Sequence, residues 1–538
     1  MDSPTLVLFK ASSGAQSALL RWPSGRSQLL HSAVAPETEA LDVVTPEIWG
    51  DVILCLGTGL GYHLMPLLQI QRPLTIVLCE TFAPLLDATT QRFVGSCHRV
   101  LPVLCPNSIP PIFPGAKIQV IRHPASYRLA ASLLDTCAGI VLRGSYVMEE
   151  RNEPKAKHPR TLLLYGRHFL QEELVHAMGE LGVTWASLSY ENSSSPGDWE
   201  SSLMKILQEF RPDLILSVNM KGIDSDGILM DACRRLGIAV HVWFVDDPRP
   251  IVLAHSNKLY PWIQAWCWER AYLPWLKTKG FCTPRWLPLA GDAQLFKRAT
   301  SAPVGSPLDL VFTGSAMGRE FLDRIRRSFL WDDALGSLVD LRSELLLRGW
   351  QDPETLLDGL PLPFQDERNR TWLMCLIQHT ASHKRRVRTL GSCLSLGLVC
   401  AGDPHGWREA LGDSTPVLKD LDYRKELGAH YQRCAVNLNL TSCQMPTAVN
   451  QRVFDVPLCG GFLLTDNQSD LGELFAPDDV ATYNSPEELR EKIGWFLAHP
   501  GERQRIAERS RTNIISRHTY AQRLGELFRF FQNSQASL

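Results

Sequence analysis

Residues 452–466 read RVFDVPLCGGFLLTD. An apolar helical turn carries one acid, Asp455, runs into Cys-Gly-Gly, and gives way at once to a short apolar strand. A helix that turns directly into an unbroken apolar strand is the joint of a parallel sheet covered on both faces. Two readings are open for the details. Gly460 and Gly461 end the helix while Asp455 faces solvent, or backbone and carboxylate together face a ligand.

The same joint recurs along the chain. DVILCLGTGLGYHLMPLLQ (51–69) and LTIVLCE (74–80) give strand, glycine turn, helix, strand and a terminal acid, Glu80. TLLLY (161–165), FRPDLILSVN and GIAVHVWFVDDP follow in a second stretch, and LDLVFTG (308–314), LSLGLVCAGD, CAVNLNL (434–440) and GFLLTD in a third. Two polar, Pro-containing stretches, 148–160 and 297–307, each precede a restarting strand, as linkers between α/β layers do. The expected architecture is therefore α/β throughout. A Rossmann-like domain over 1–150 is followed by two doubly wound domains over 160–296 and 307–538. The C-terminal run from PEELREKIGW onward reads as helix broken at His499-Pro500.

Composition narrows the function. Of 538 residues, 55 are Lys or Arg and 57 Asp or Glu, a net charge of −2. No basic field marks a nucleic-acid partner. MDSPTLVLFK at the start lacks a signal-peptide pattern, and no apolar run approaches the roughly 20 residues that cross a bilayer. The 14 cysteines form no C-x-x-C pair and sit mostly in apolar strands, as small reduced hydrophobes do. No H-E-x-x-H spacing suggests a metal site. A soluble, cytoplasmic protein without a metal is the expectation.

Ligands of open parallel sheets bind beyond the carboxyl ends of strands. CAVNLNL ends in the loop TSCQMPTA, and a helix beginning near Val449 would offer unpaired N–H groups to a diphosphate. Asp455, about one and a half turns into that helix, would accept hydrogen bonds from vicinal hydroxyls such as those of a ribose. Gly460 and Gly461 would clear space for the nucleoside.

The run RVFDVPLCGGFLLTD, with DLGELF, SPEEL, AHPGERQRIA and HTYAQRL after it, resembles the C-terminal domain of glycosyltransferases of GT-B fold. It is most similar to the spore-maturation (CgeB-type) glycosyltransferase-like family. FRPDLILSVN, VWFVDDPRP and WLPLAGDAQLF resemble that family's N-terminal half. The resemblance implies transfer of a sugar from a nucleotide diphosphate sugar, held by the C-terminal domain, to a glycan or protein acceptor entering between the two halves. It implies no metal and no further cofactor.

By this resemblance Asp455 takes the place of the second acid of a paired-glutamate signature, which holds the donor ribose. Eight residues earlier, where the first acid belongs, stands Thr447, so the stereochemistry of transfer stays open. Gly314 and Ser315, in VFTGSAMGRE, lie where the family's first turn approaches the diphosphate. Arg319, the run HKRRVR (383–388) with Arg386, and Arg452 are the candidate cations for it. Asp246 and Asp247, in VWFVDDP, end a strand where an acid would deprotonate an acceptor hydroxyl, or would simply cap the helix started by Pro248. Asn219, ending LILSVN, is a candidate of the same kind.

Gly57, Gly59 and Gly61 follow a strand, and Glu80 ends the next one. The arrangement resembles the nucleoside pocket of class I methyltransferases, although Cys55 stands where an acid is common there; an inactive Rossmann-like scaffold is the other open reading. Tyr62 in place of a third glycine excludes the dinucleotide pattern. LHSAVAPETEA (30–40) resembles the front of the motility accessory factor family, glycosyltransferases acting on bacterial flagellins. Two alternatives to a transferase follow: an S-adenosylmethionine-dependent methyltransferase in the N-terminal domain, and a non-catalytic GT-B-like module that binds a glycan or partner.

Overall fold

Apolar runs predicted as strands form three parallel sheets in the computed structural model. It describes the chain apart from residues 1–3, 40–47, 106–107, 109, 114, 132, 135–136, 139–140, 142–156, 167–169, 191–195, 225–227, 256, 282, 299–304, 319–332, 350–355, 358–365 and 537–538. Most of the two proposed linkers, and Arg319, lie outside the described residues. Two compact units are present. One comprises 1–167, 185–217 and 221–240, and the other 168–184, 218–220 and 241–538.

In the first unit a parallel sheet runs in the order Arg99–Leu104, Thr75–Glu80, Val52–Leu56, Ile118–Arg122. Its central strand Val52–Leu56 is wholly buried, and Thr75–Glu80 is buried from Ile76 on, because both faces are covered. Ile53, Ile76, Leu78 and Leu86 form the core on one side. A three-stranded antiparallel sheet, Thr5–Lys10, Gln16–Arg21 and Ser27–Leu29, precedes it. In the same unit Thr161–Tyr165 pairs in parallel with Trp185–Ser189, and in the other unit Ile263–Cys267 pairs in parallel with Arg285–Trp286.

A six-stranded parallel sheet lies wholly in the second unit. Its strands run Val417–Leu418, Leu398–Ala401, Leu308–Thr313, Cys434–Asn439, Leu463–Asp466, Ala481–Tyr483, all parallel. In chain order this is 3-2-1-4-5-6, which reverses direction between Leu308–Thr313 and Cys434–Asn439. Connections leave those two strands on opposite sides, so a crevice opens beyond Thr313 and Asn439. Leu310, Phe312, Val436, Leu438 and Leu464 fill the core beneath. The C-terminal helices break where expected: Pro486–Ala498 ends before His499, and Pro500 starts the next.

Candidate active site

Beyond the switch point lies a cleft of about 440 Å³ whose lining includes Thr313, Gly314, Ser315, Asp403, Asp420, Tyr423, Gln451, Arg452 and Asp455. Its first wall is the turn after Leu308–Thr313, and neighbouring groups fix it from several sides. Gly314 donates to the Ala401 carbonyl at 2.8 Å, and its own carbonyl accepts from Trp407 Nε1 at 2.8 Å. Asp403 accepts from the Ala316 N–H at 2.9 Å and caps its own helix through Gly406 N. Asp403 N in turn donates to Asp420 at 2.7 Å. Gly314 has φ 149°, and a Cβ there would lie 2.5 Å from Arg452 Nη2. Glycine is required by that backbone angle, and any side chain there would also displace the Arg452 guanidinium.

Arg452 lines the cleft on its cationic side, and Arg386, buried and not among the lining residues, stands behind the same turn. Arg386 lies on the helix Glu367–Gly391, is buried, and donates to the Ser315 carbonyl at 2.6 Å. Its Nε has no hydrogen-bond partner among the described residues. Arg452 donates to Asn439 Oδ1 at 2.9 Å. Neither forms a carboxylate ion pair among the described residues, whereas the rest of HKRRVR is engaged elsewhere. Lys384 and Arg388 pair with Glu344, and Arg385 with Asp466. Burial, then the nearby Arg452 charge, pulls the Arg386 pKa down to about 9. Two buried or half-buried cations without an acid between them are costly until an anion arrives.

Asp455 lines the same cleft and is only 1% exposed. Gln451 Nε2 donates to it at 2.7 Å, and Tyr423 stands over it with a 3.4 Å contact from its hydroxyl. That hydroxyl also reaches Glu173 at 3.2 Å. Gln451 is held by Tyr520 and by the Ala290 carbonyl. Burial pushes the Asp455 carboxyl well above the usual carboxylate range, and the Glu173 and Asp292 charges add to that rise. Glu173, itself buried, is raised for the same first reason. The sequence carries no sign of this pairing, because Glu173 belongs to an ordinary amphipathic helix, Gln171–Glu180, far away in the chain.

Three expectations for this stretch are corrected. The helix begins at Arg452, not near Val449, and spans only Arg452–Leu458, so Asp455 lies in its first turn. The N–H groups of Thr447 and Ala448 are already taken by the Glu269 carboxylate, each at 2.9 Å. Gly460 and Gly461 are not among the residues lining the cleft. Gly460 has φ 83°, and Gly461 N donates to the Val456 carbonyl while Gly460 N donates to that of Pro457, which is a Schellman end. A Cβ on Gly461 would stand 3.0 Å from the Tyr431 carbonyl. The glycines serve the chain's own turn, and Asp455 lines the cleft.

At Thr447 a carboxylate is present, but it comes from Glu269, whose Oε1 accepts from the Thr447 hydroxyl at 2.5 Å. Glu269 also accepts from the Ala271 N–H and is fully buried, so it clamps the loop.

The Asp pair divides. Asp247 caps Pro248–Val252 and is clasped by Arg249 at 2.6 Å. Both its oxygens are used, and the expectation of a free base fails there because the charge is neutralised. Asp246 is exposed and receives Asn219 Nδ2 at 2.7 Å. Asn219, at φ 53°, also accepts from the Val245 N–H at 2.9 Å, which makes it a strand-end brace.

In the first unit the glycine turn offers no open space. A Cβ on Gly59 would lie 2.4 Å from His31 Nε2 and 2.8 Å from His123, one on Gly57 would meet Ser126, and one on Gly61 would meet Thr89. Glu80 accepts from the N–H groups of Thr58, Gly59 and Thr81 at 2.7–3.3 Å. Those are the donors of its own turn, so Glu80 is not aimed at a ribose. The glycines allow side chains, not a nucleoside, to approach the backbone.

Residues 370–529 match the model of a family described as glycosyl transferase-like. No curated protein matches the chain in sequence. Among solved structures, the chain is similar to a glycosyltransferase from Rickettsia africae ESF-5, at 10% identity and TM-score 0.44, over 70% of this chain and 99% of that one. It is also similar to sucrose-phosphate synthase from Thermosynechococcus elongatus, at 12% identity and TM-score 0.42, over 70% and 100%. HepE of Anabaena, solved with UDP and glucose, follows at 10% identity and TM-score 0.41, over 71% and 100%.

Proposed function

We propose that the chain is a glycosyltransferase of GT-B type that takes a nucleotide diphosphate sugar into the cleft beyond Thr313 and Asn439. The observation that carries this reading is the Arg386–Arg452 pair beside a turn that only glycine fits. Both cations lack an acid among the described residues, and a diphosphate supplies the missing charge, touching Arg452 in the cleft and acting on the buried Arg386 through space. The matched glycosyl transferase-like segment, 370–529, contains both arginines and Asp455.

In this reading the ribose hydroxyls displace the Tyr423 hydroxyl and donate to Asp455. The bond from the anomeric carbon to the diphosphate breaks, an acceptor hydroxyl oxygen bonds to that carbon, and its proton passes to a base. Asp246, exposed at its strand end, is the acid we assign to that step. Charge growing on the departing diphosphate is met by the two guanidinium groups, already in place and poorly hydrated. The acceptor is a glycan or a protein. The fold of the donor half over 307–538, metal independence and a cytoplasmic site of action complete the proposal. No helix of the described residues is long and apolar enough to cross a membrane.

The test is turnover. The full chain is incubated with UDP-, GDP- and dTDP-linked sugars, without acceptor and in the presence of chelator, and free nucleotide is measured. Slow release of one nucleoside diphosphate that is lost in Arg452→Met supports the proposal. No release from any donor, with no binding of any nucleoside diphosphate, sinks it.

A further inference from the structure

Three cysteines of the first unit meet at one point. Cys79 lies near the end of strand Thr75–Glu80, Cys105 directly after strand Arg99–Leu104, and Cys137 in a later helical segment. Their sulfur atoms all lie within 4.8 Å of one another, and Cys105 Sγ is 3.0 Å from Cys137 Sγ. All three are buried. The parallel register that pairs Cys79 with Val103 sets the first two side by side, and the helical segment brings the third over them.

A buried cysteine is ordinarily a small hydrophobe, and Cys55 in the neighbouring strand is that case: wholly buried and outside the group. The cluster differs because three separate elements converge their thiols instead of their methyl-bearing neighbours. Sulfur atoms bound to one ion at about 2.3 Å stand about 3.8–4.0 Å apart. The observed spacing admits an ion once Cys105 and Cys137 separate by roughly an ångström, a movement within the reach of side-chain rotation.

We propose that Cys79, Cys105 and Cys137 bind one thiophilic metal ion. Among the described residues no fourth His, Cys or carboxylate joins the group. The nearest acid in sequence, Glu80, spends its oxygens on backbone N–H groups. Three soft ligands without a fourth suit a three-coordinate copper(I) ion, whereas zinc needs a further ligand such as water to complete its shell. Binding forms metal–sulfur bonds at the expense of S–H bonds, and the displaced protons leave to solvent; no electron is transferred. The site lies away from the proposed donor cleft in the chain and does not depend on the glycosyltransferase reading.

The experiment uses the full chain, reduced and stripped with chelator. Copper(I) in one arm and zinc(II) in the other are titrated against a chromophoric competitor. X-ray absorption on the loaded chain then counts sulfur neighbours. One ion per chain with three sulfur neighbours is expected, copper binding more tightly than zinc. Cys79→Ser and Cys137→Ala should each lower the affinity at least a hundredfold, whereas Cys97→Ser, at an exposed cysteine outside the cluster, should leave it unchanged. The sulfur count needs no variant, so a variant that misfolds does not blunt the test. Zinc held by three sulfurs and a water supports the site and changes the ion. Uptake of neither ion by the reduced chain, with or without a Cys105–Cys137 disulfide forming in air, overturns it.

Discussion

Arg386 and Arg452 both rest their guanidinium groups on the Phe312 ring, at 5.5 and 5.4 Å from its centroid. The aromatic quadrupole offsets part of the repulsion between two unneutralised cations, and Phe312 is itself locked edge-on to Trp407. The pair therefore stands unneutralised at some cost to stability. Arg386→Met should raise the melting temperature of the ligand-free chain and weaken binding of a nucleoside diphosphate roughly ten- to a hundredfold, the equivalent of about 1.5–3 kcal/mol. Scanning fluorimetry with and without nucleotide reads both effects. Loss of stability without loss of affinity would make Arg386 structural.

pH dependence follows from the same pair. The Arg386 pKa lies near 9 in the free protein, and a bound diphosphate favours its charged form. Diphosphate affinity should then hold steady through neutral pH and fall as pH rises past about 9. Arg386→Met should abolish that decline, as isothermal titration at pH 7, 8.5 and 10 would show.

Gly314→Ala adds one methyl group 2.5 Å from Arg452 Nη2, at φ 149°. The chain should fold with a loss of about 1 kcal/mol or more, because alanine at such a backbone angle is strained. The affinity for diphosphate should fall with it as Arg452 is displaced. Urea denaturation and titration of the same sample separate the two. Unchanged affinity would place the diphosphate elsewhere.

Asp455 answers its own test through stability. Its folded-state carboxyl is raised well above the ordinary value, so the native state keeps a proton that the unfolded chain gives up. Stability is thus lost as pH climbs above about 4. Asp455→Asn carries no such penalty. It should match the wild type near pH 4 and exceed it at pH 8, while donor affinity falls because one acceptor oxygen for the ribose becomes a donor. An unfolded variant would show that the carboxylate is a structural partner of Gln451 and Tyr423.

How much of this was legible in the sequence depends on the scale of the feature. Strand-helix joints such as VFTG and CGGFLLTD are local patterns, and the α/β reading and the helix break at His499-Pro500 follow from them. Gly314 after its strand and Arg452 one turn before Asp455 were legible as single residues. Tyr423 over Asp455, Glu173 across from it and Glu269 on the Thr447 loop were not. Each joins residues distant in the chain, and none of the residue types is unusual where it stands. The glycine turn of the first unit misled for the opposite reason. Its pattern is local, but what fills it, His31 and His123, comes from outside the pattern.

That histidine group gives a further prediction. Burial holds His31 near pKa 4 and His63 near 3, and His123 well below its usual range. The native state stays neutral while the unfolded chain takes up protons from about pH 6.5 downward. Stability of the first unit should therefore fall steeply as pH drops from about 6.5 to about 4. Both ring nitrogens of His63 are buried without a hydrogen-bond partner among the described residues, so His63→Leu should stabilise that unit by about 1–3 kcal/mol at pH 7 and flatten the acid limb. Hydrogen exchange at amides of Val52–Leu56 would report it. A destabilised variant would mean that His63 is satisfied by something bound.

The central claim, a diphosphate held between Gly314 and the two arginines, is tested most directly by calorimetric titration of the full chain with UDP and with UMP in chelator. Wild type should bind UDP at least tenfold more tightly than UMP, and the double variant Arg386→Met, Arg452→Met should lose that difference. Equal affinity for UDP and UMP in the wild type, or a preference for UDP that survives in the folded double variant, would contradict it.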